Sequence, residues 1–141
     1  MFDSLAKNAL APLVLRLMLA AIFIYHGWML VAPVNDWGFH WMPGVGPKPP
    51  AAAQFAVAWG ELIGGVALGL GFLTRLAALG LIVIMAGAIY LVHLPHGFDI
   101  RNQGFEYNLA IIAMCLVLVL VGGGRLAVDH LFSIRRRRTS G

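Results

Sequence analysis

Four long apolar runs, separated by polar or proline-rich segments, constrain this chain more than any other feature. An α-helix needs about 20 apolar residues to cross the hydrocarbon layer of a membrane, which is about 30 Å thick. The sequence therefore predicts an all-α membrane protein, a four-transmembrane-helix bundle with a long outer loop between helices 1 and 2. The predicted spans are about residues 10–32, 54–73, 76–94 and 105–121.

The composition excludes a water-soluble monomer. Of the 141 residues, 60% are hydrophobic and 11% are charged, whereas soluble domains carry about 25% charged residues. We predict a single four-helix membrane domain over residues 1–134 and a basic cytoplasmic tail over residues 135–141. The single cysteine, Cys115, lies inside an apolar run, so the chain has no dithiol redox centre.

Basic residues predict the orientation of the bundle. With four spans, both termini share one side of the membrane with the turn between the second and third spans. That side collects seven basic residues, and the other side has two, Lys48 and Arg101. The positive-inside rule then places both termini in the cytoplasm, and we expect the chain to be integral to the cell (inner) membrane. The seven residues are Lys7, Arg75, Arg125 and Arg135 to Arg138.

The four arginines of the tail predict contact with lipid. Anionic headgroups attract basic residues next to a span, so we expect the tail to bind the membrane surface rather than nucleic acid. Arg16, near the inner end of the first run, is expected to snorkel to the headgroups, or else to pair with Asp129. A protein partner or a homo-oligomer is also expected.

The long loop, from Pro33 to about Ala53, combines five prolines with aromatic side chains that include Trp37 and Trp41. Prolines this dense exclude a continuous helix, and disordered linkers are poor in aromatic residues. We therefore expect an ordered loop, acting either as an anchor at the membrane interface or as a lid over the bundle.

The second run is rich in glycine and carries one carboxyl group, Glu61. Its glycines are spaced so that neighbouring helices can approach closely. A carboxyl group inside a span costs several kcal/mol unless it is neutral, paired or facing a polar cavity. Glu61 is therefore a candidate functional residue.

Each of the other predicted spans places a polar group in the same half of the bundle. At about 1.5 Å per helical residue, His26 and Glu61 both lie roughly 10 Å below the outer surface. His93 and Glu106 lie nearer that surface on the third and fourth spans. The candidate ligand-binding or proton-handling residues are His26, Glu61, His93, Glu106, Asn108 and Tyr90.

Three interpretations of this cluster stay open. His26 and Glu61 could pair with each other and fix the register of their helices. The cluster could instead form a quinone pocket, in which histidine binds a carbonyl oxygen and a carboxylate handles the proton. A transition metal held by His26, Glu61, His93 and Glu106 is a third alternative, although no HxxxH or ExxH spacing supports it.

The pattern of motifs resembles the DoxX family of small four-helix membrane proteins over nearly the whole chain. This resemblance implies association with a membrane redox or oxidative-stress system, without a catalytic role for any residue. The matching features are Arg16, Phe23 and His26-Gly27, then Glu61 to Gly65 and Leu68 to Arg75, then Asn102 to Glu106, and finally Gly122 to Arg125 with Asp129.

The sequence thus favours a membrane subunit of a redox system that binds a quinone-like molecule in the outer half of the bundle. The alternative is a non-catalytic membrane scaffold or assembly factor for a redox or stress-response complex. Transport of a small solute or of protons is a further alternative, but four spans without an evident inverted repeat make it a weaker match.

Overall fold

A computed structural model describes residues 5–32 and 48–132. The tail arginines and most of the proline-rich loop lie outside these ranges, so their predicted roles stay predictions. All secondary structure in the described residues is helical. The main helices are α1 (Ala11–Val31), α2 (Ala51–Leu70), α3 (Thr74–Ala88) and α4 (Glu106–Val121).

Short helical turns extend two of these helices. A π-helical turn, Ala6–Leu10, leads into α1, and a second, Ile89–His93, continues α3 and is followed by a 3₁₀ turn, Leu94–His96. Three continuous stretches are long and apolar enough to cross a membrane, and α4 is a shorter apolar helix of 16 residues. The predicted fold class, a helical membrane bundle, is confirmed. The three stretches are Ala6–Val31, Ala51–Leu70 and Thr74–His96.

The bundle has two ends that we name by their connections. At the loop end, α1 ends, α2 begins, and residues 97–105 lead into α4. At the turn end, residues 71–73 connect α2 to α3, and the chain turns again after α4. Between the two ends, the helices enclose a core of buried side chains. The core consists of Leu19, Phe23, Leu68, Ala78, Leu81, Met85, Ile111, Cys115 and Leu118.

Glycines let α1 and α2 approach at backbone distance. A Cβ atom added at Gly27 would lie 2.5 Å from the backbone nitrogen of Leu62, and one at Gly65 would lie 2.9 Å from the backbone nitrogen of Ile24. Real Cβ atoms do not tolerate such contacts with backbone. The glycine-rich face of α2 is therefore in direct contact with α1, as small residues at membrane helix interfaces allow.

The connection between α2 and α3 is a tight turn with two left-handed residues, Gly71 (φ +70°) and Leu73 (φ +47°). The carboxylate of Asp129, from the segment after α4, accepts hydrogen bonds from the backbone N–H groups of Leu73 (2.7 Å) and Thr74 (2.8 Å). These donors begin α3 and have no partner within the helix. Asp129 therefore stabilises the start of α3 from a distant part of the chain.

Arg16 does not reach the lipid headgroups, so the expectation of snorkelling is wrong. Its side chain is 2% exposed. The guanidinium donates hydrogen bonds to the carbonyl oxygens of Leu68 (2.8 Å) and Gly69 (2.9 Å), and to those of Gly123 (2.8 Å) and Leu126 (3.2 Å). Carbonyl groups near a helix C-terminus lack partners within the helix and attract a cation, which explains why the arginine stays inside.

Candidate functional site

A cavity of about 380 Å³ lies at the loop end of the bundle. All four helices contribute to its wall, together with the π-helical turn after α3 and the loop before α4. Most of the wall is apolar, with side chains such as Phe23, Met85 and Ile111 at its base. Its polar side chains are His26, Glu61, His93, Gln103, Tyr107 and Asn108.

Glu61 lines this cavity and is 7% exposed. No hydrogen bond or ion pair joins its carboxyl group to another of the described residues, and none joins it to His26. The two side chains therefore share a cavity without pairing, so their mutual pairing is not what the structure contains. Whether ionised or neutral, the carboxyl group retains an oxygen that can accept a hydrogen bond from a ligand.

His26 lines the cavity and has one ring nitrogen hydrogen-bonded to its own helix. Its Nδ1 lies 2.8 Å from the carbonyl oxygen of Ile22, one turn earlier in α1. Because a carbonyl oxygen only accepts, Nδ1 carries the hydrogen, and the neutral ring keeps Nε2 as an acceptor. The ring of Tyr25 contacts the imidazole edge-on, with 5.5 Å between ring centroids. The orientation of the imidazole is thus fixed from two sides.

His93, at the end of the α3 stretch, has the same arrangement. Its Nδ1 lies 2.6 Å from the carbonyl oxygen of Gln103, so its Nε2 is likewise the acceptor of the neutral ring. Gln103 is left-handed (φ +63°) and ends the short 3₁₀ turn Ile100–Asn102. The loop at the mouth of the cavity is therefore attached to the end of the α3 stretch through this histidine.

That loop is itself well ordered by backbone hydrogen bonds. The N–H groups of Gly104 and Phe105 donate to the carbonyl oxygens of Asp99 (2.9 Å) and Gly97 (3.0 Å). The Asp99 carboxylate accepts from the Arg101 guanidinium at 2.6 Å. This side-chain hydrogen bond, with a second from the Arg101 backbone N–H, holds the pKa of Asp99 below its ordinary value. The rim of the cavity thus has its own local stabilisation.

Asn108 supplies a polar group at the cavity's α4 wall. It is 5% exposed, and its Nδ2 donates to the sulfur of Met85 at 3.6 Å. A thioether sulfur is a weak acceptor, so this amide is held only loosely in place. Its neighbour Tyr107 also lines the cavity.

Comparison with known proteins places this architecture in a family. The family model described as DoxX matches residues 11–94. The chain belongs to the DoxX family. An uncharacterized protein of Haemophilus influenzae is 32% identical to this DoxX protein over 133 residues, which cover 88% of the chain and 84% of the relative. No solved structure matches the chain significantly.

The cavity of this DoxX protein contains four of the six candidate residues predicted from sequence. His26, Glu61, His93 and Asn108 line it. Tyr90 does not line the cavity and is 74% exposed. Glu106 also lies outside the lining, at the first position of α4. The matched family segment includes His26, Glu61 and His93 and ends before α4.

Sequence reasoning missed the Gln103 carbonyl group, which holds His93, and the Met85 sulfur, which holds Asn108. Neither a backbone carbonyl nor a methionine in an apolar run gives a signal in one sequence. For metal binding, no three His, Cys, Asp or Glu side chains in residues 5–32 and 48–132 lie close enough to share an ion. The described site of this DoxX protein is thus a largely apolar cavity with a few hydrogen-bonding groups.

Proposed function

We propose that this DoxX protein is a membrane subunit of a redox system and that it binds a quinone-like molecule in the loop-end cavity. The cavity itself is the observation that carries the proposal: an apolar space with polar groups converging from α1, α2, α4 and the end of α3. Ligand pockets commonly have about 300–1,000 Å³, mostly apolar walls and a few polar groups that orient the ligand. The proposal places the protein in the inner membrane, with both termini in the cytoplasm.

The apolar wall suits a ligand that arrives from the lipid phase. Phe23, Met85 and Ile111 supply the flat and flexible apolar contacts that an aromatic ring needs. A quinone ring has two polar atoms, at opposite ends of an otherwise apolar body. The histidines on α1 and at the end of α3 belong to different helices, so the polar groups of the cavity also come from more than one side.

The hydrogen-bonding groups favour the reduced form of such a ligand. Nδ1 of His26 and of His93 binds a backbone carbonyl, which leaves Nε2 as the acceptor of the uncharged ring, and the Glu61 carboxyl group adds a third acceptor. The hydroxyl groups of a quinol are donors, whereas the carbonyl oxygens of a quinone only accept. We therefore assign hydroxyl binding and proton acceptance to this chain, and electron transfer to a partner subunit that carries a redox cofactor.

Binding of a soluble quinol analogue to the purified protein in lipid nanodiscs tests the proposal. Calorimetric titration should give saturable binding to the wild type and about 3- to 10-fold weaker binding to Glu61→Gln, as expected for one altered hydrogen bond. Glu106→Gln is the matched control because Glu106 does not line the cavity, and it should bind like the wild type. Wild type without saturable binding, or Glu61→Gln and His26→Ala both binding as the wild type does, would refute the proposal.

A further inference from the structure

A second cleft, of about 720 Å³, opens at the turn end of the bundle, far from the ligand cavity. It lies between the π-helical turn before α1, the start of α3 and the segment after α4. The residues that give it its chemical character are Lys7, Asn8, Arg75, Arg125, Asp129 and His130. No part of the proposed quinone site contributes to it.

Positive charge dominates this cleft. Lys7, Arg75 and Arg125 line it, and Asp129 is the acidic side chain that the described part of the chain contributes. Both carboxylate oxygens of Asp129 already accept backbone hydrogen bonds at the start of α3. The three positive charges therefore exceed the one negative charge by two. Both oxygens of that carboxylate already bind backbone N–H groups.

Backbone contacts hold together the segments that carry the three cations. The N–H of Arg125 donates to the carbonyl oxygen of Asn8 (2.8 Å), which joins the segment after α4 to the turn before α1. The N–H of Asp129 donates to the carbonyl oxygen of Gly71 (2.9 Å), which joins that segment to the α2–α3 turn. Arg75 donates from Nη2 to the carbonyl oxygen of Leu120 (3.2 Å). The walls of the cleft are thus formed before any ligand binds.

We propose that this cleft binds a phosphate group. Three like charges held in one cleft repel each other, and an anion that enters removes this repulsion. A guanidinium has several donors in a fixed fork that matches phosphate oxygens, and a lysine adds a point charge. Arg75 keeps donors in addition to the one that binds Leu120. The phosphate belongs either to the headgroup of an anionic phospholipid or to a soluble phosphorylated molecule.

Two arms of one experiment separate these sources. In phosphatidylcholine nanodiscs, inorganic phosphate is titrated and the thermal midpoint of the protein is recorded. In detergent supplemented with phosphatidic acid or phosphatidylglycerol, native mass spectrometry records the lipids that the protein retains. We expect saturable binding in at least one arm, and about tenfold weaker binding for Arg125→Gln, the loss expected for a charged hydrogen bond. A response to phosphate indicates the soluble source, and retained lipid without it indicates the headgroup.

The controls distinguish a built site from general attraction between basic residues and lipid. Lys7→Gln is a second variant of the cleft, and both replaced side chains are exposed, so the thermal midpoint without ligand should match the wild type. Arg101→Gln removes the same charge at the loop end, outside the cleft, and should leave affinity unchanged. Absence of binding in both arms, or an equal loss for Arg101→Gln and Arg125→Gln, would overturn the proposal. Neither result would affect the quinone proposal, because the two sites share no residue.

Discussion

Arg16 and Asp129 stabilise the same turn from opposite sides. The guanidinium of Arg16 binds the carbonyl oxygens of Leu68 and Gly69 at the end of α2, and the carboxylate of Asp129 binds the N–H groups of Leu73 and Thr74 at the start of α3. The two charges cooperate without a direct ion pair. The guanidinium lies at the C-terminal end of α2 and the carboxylate at the N-terminal end of α3, and the helix dipole favours each charge at its position. The turn is thereby held by residues from the first and the last parts of the bundle.

Replacing Arg16 should destabilise the bundle strongly. Arg16→Met keeps most of the side-chain volume but removes a donor from four carbonyl groups. The Leu68 carbonyl keeps a second donor, the N–H of Gly71 (3.0 Å), and each buried group left unsatisfied costs about 1–3 kcal/mol. We expect a loss of at least about 3 kcal/mol in the free energy of unfolding, measured by denaturant titration in detergent. Arg101→Gln, which removes an exposed arginine, should change it by less than about 1 kcal/mol. Equal effects of the two substitutions would contradict the role assigned to Arg16.

Two glycines provide a matched test of helix packing. Gly27→Ala places a Cβ atom 2.5 Å from the backbone nitrogen of Leu62, so α1 and α2 must separate, at a cost of about 1–3 kcal/mol. Gly80→Ala meets no atom within 4 Å and should be neutral or stabilising, because alanine favours the helix by up to about 1 kcal/mol. Thermal unfolding of both variants measures the difference. A midpoint for Gly27→Ala at or above that of Gly80→Ala would show that the two helices are not in such close contact.

The ligand cavity should distinguish the two redox forms of its ligand. Because His26, His93 and Glu61 each offer an acceptor to a hydroxyl group, we expect the quinol to bind more tightly than the quinone. A tenfold preference raises the midpoint potential of the bound two-electron couple by about 30 mV, which a redox titration in nanodiscs measures.

His26→Phe should reduce this preference by about 3- to 10-fold, since it removes one acceptor and keeps an aromatic ring. His96→Phe is its control because His96 is exposed and does not line the cavity. If the quinone binds as tightly as the quinol, the assignment of the two histidines as acceptors is wrong, even if the site binds quinones.

Acid pH should weaken the contact between Asp99 and Arg101 in the loop at the cavity mouth. The pKa of Asp99 is lowered by its hydrogen bonds with Arg101, so this contact favours the folded loop above the ordinary aspartate pKa and is lost as the pH falls through the lowered value. Titration of the Asp99 carboxyl carbon by NMR should give a midpoint below about 3.9. In Arg101→Gln the midpoint should rise towards that value. An unchanged midpoint would mean that the ion pair does not form in solution.

The sequence predicts the bundle well because long apolar runs leave a chain few alternatives in a membrane. It also places His26 and Glu61 in one cavity, since counting residues along two helices gives their depth. The sequence predicts less well which side chains of a helix face the cavity. In the turn Ile89–His93, His93 lines the cavity and Tyr90 does not, and one sequence does not show which of the two faces it.

Arg16 shows a second limit of prediction. A long basic side chain near the end of a span is expected to reach headgroups, and that rule fails here because carbonyl groups from two distant segments surround the guanidinium. These acceptors belong to the backbone, so no residue type reveals them. In the same way, the bond from His93 to the Gln103 carbonyl could not be foreseen from either side chain.

The four hydrogen bonds of Arg16 also bear on how the protein is made. Two acceptors, Leu68 and Gly69, follow Arg16 in sequence by 52 and 53 residues, and the other two, Gly123 and Leu126, follow it by 107 and 110. During synthesis, the first helix therefore enters the membrane with a charge that later parts of the chain must satisfy. In a ribosome-bound chain that stops before Gly123, Arg16 has at most two of its four acceptors. Full burial of Arg16 therefore indicates that the bundle is complete.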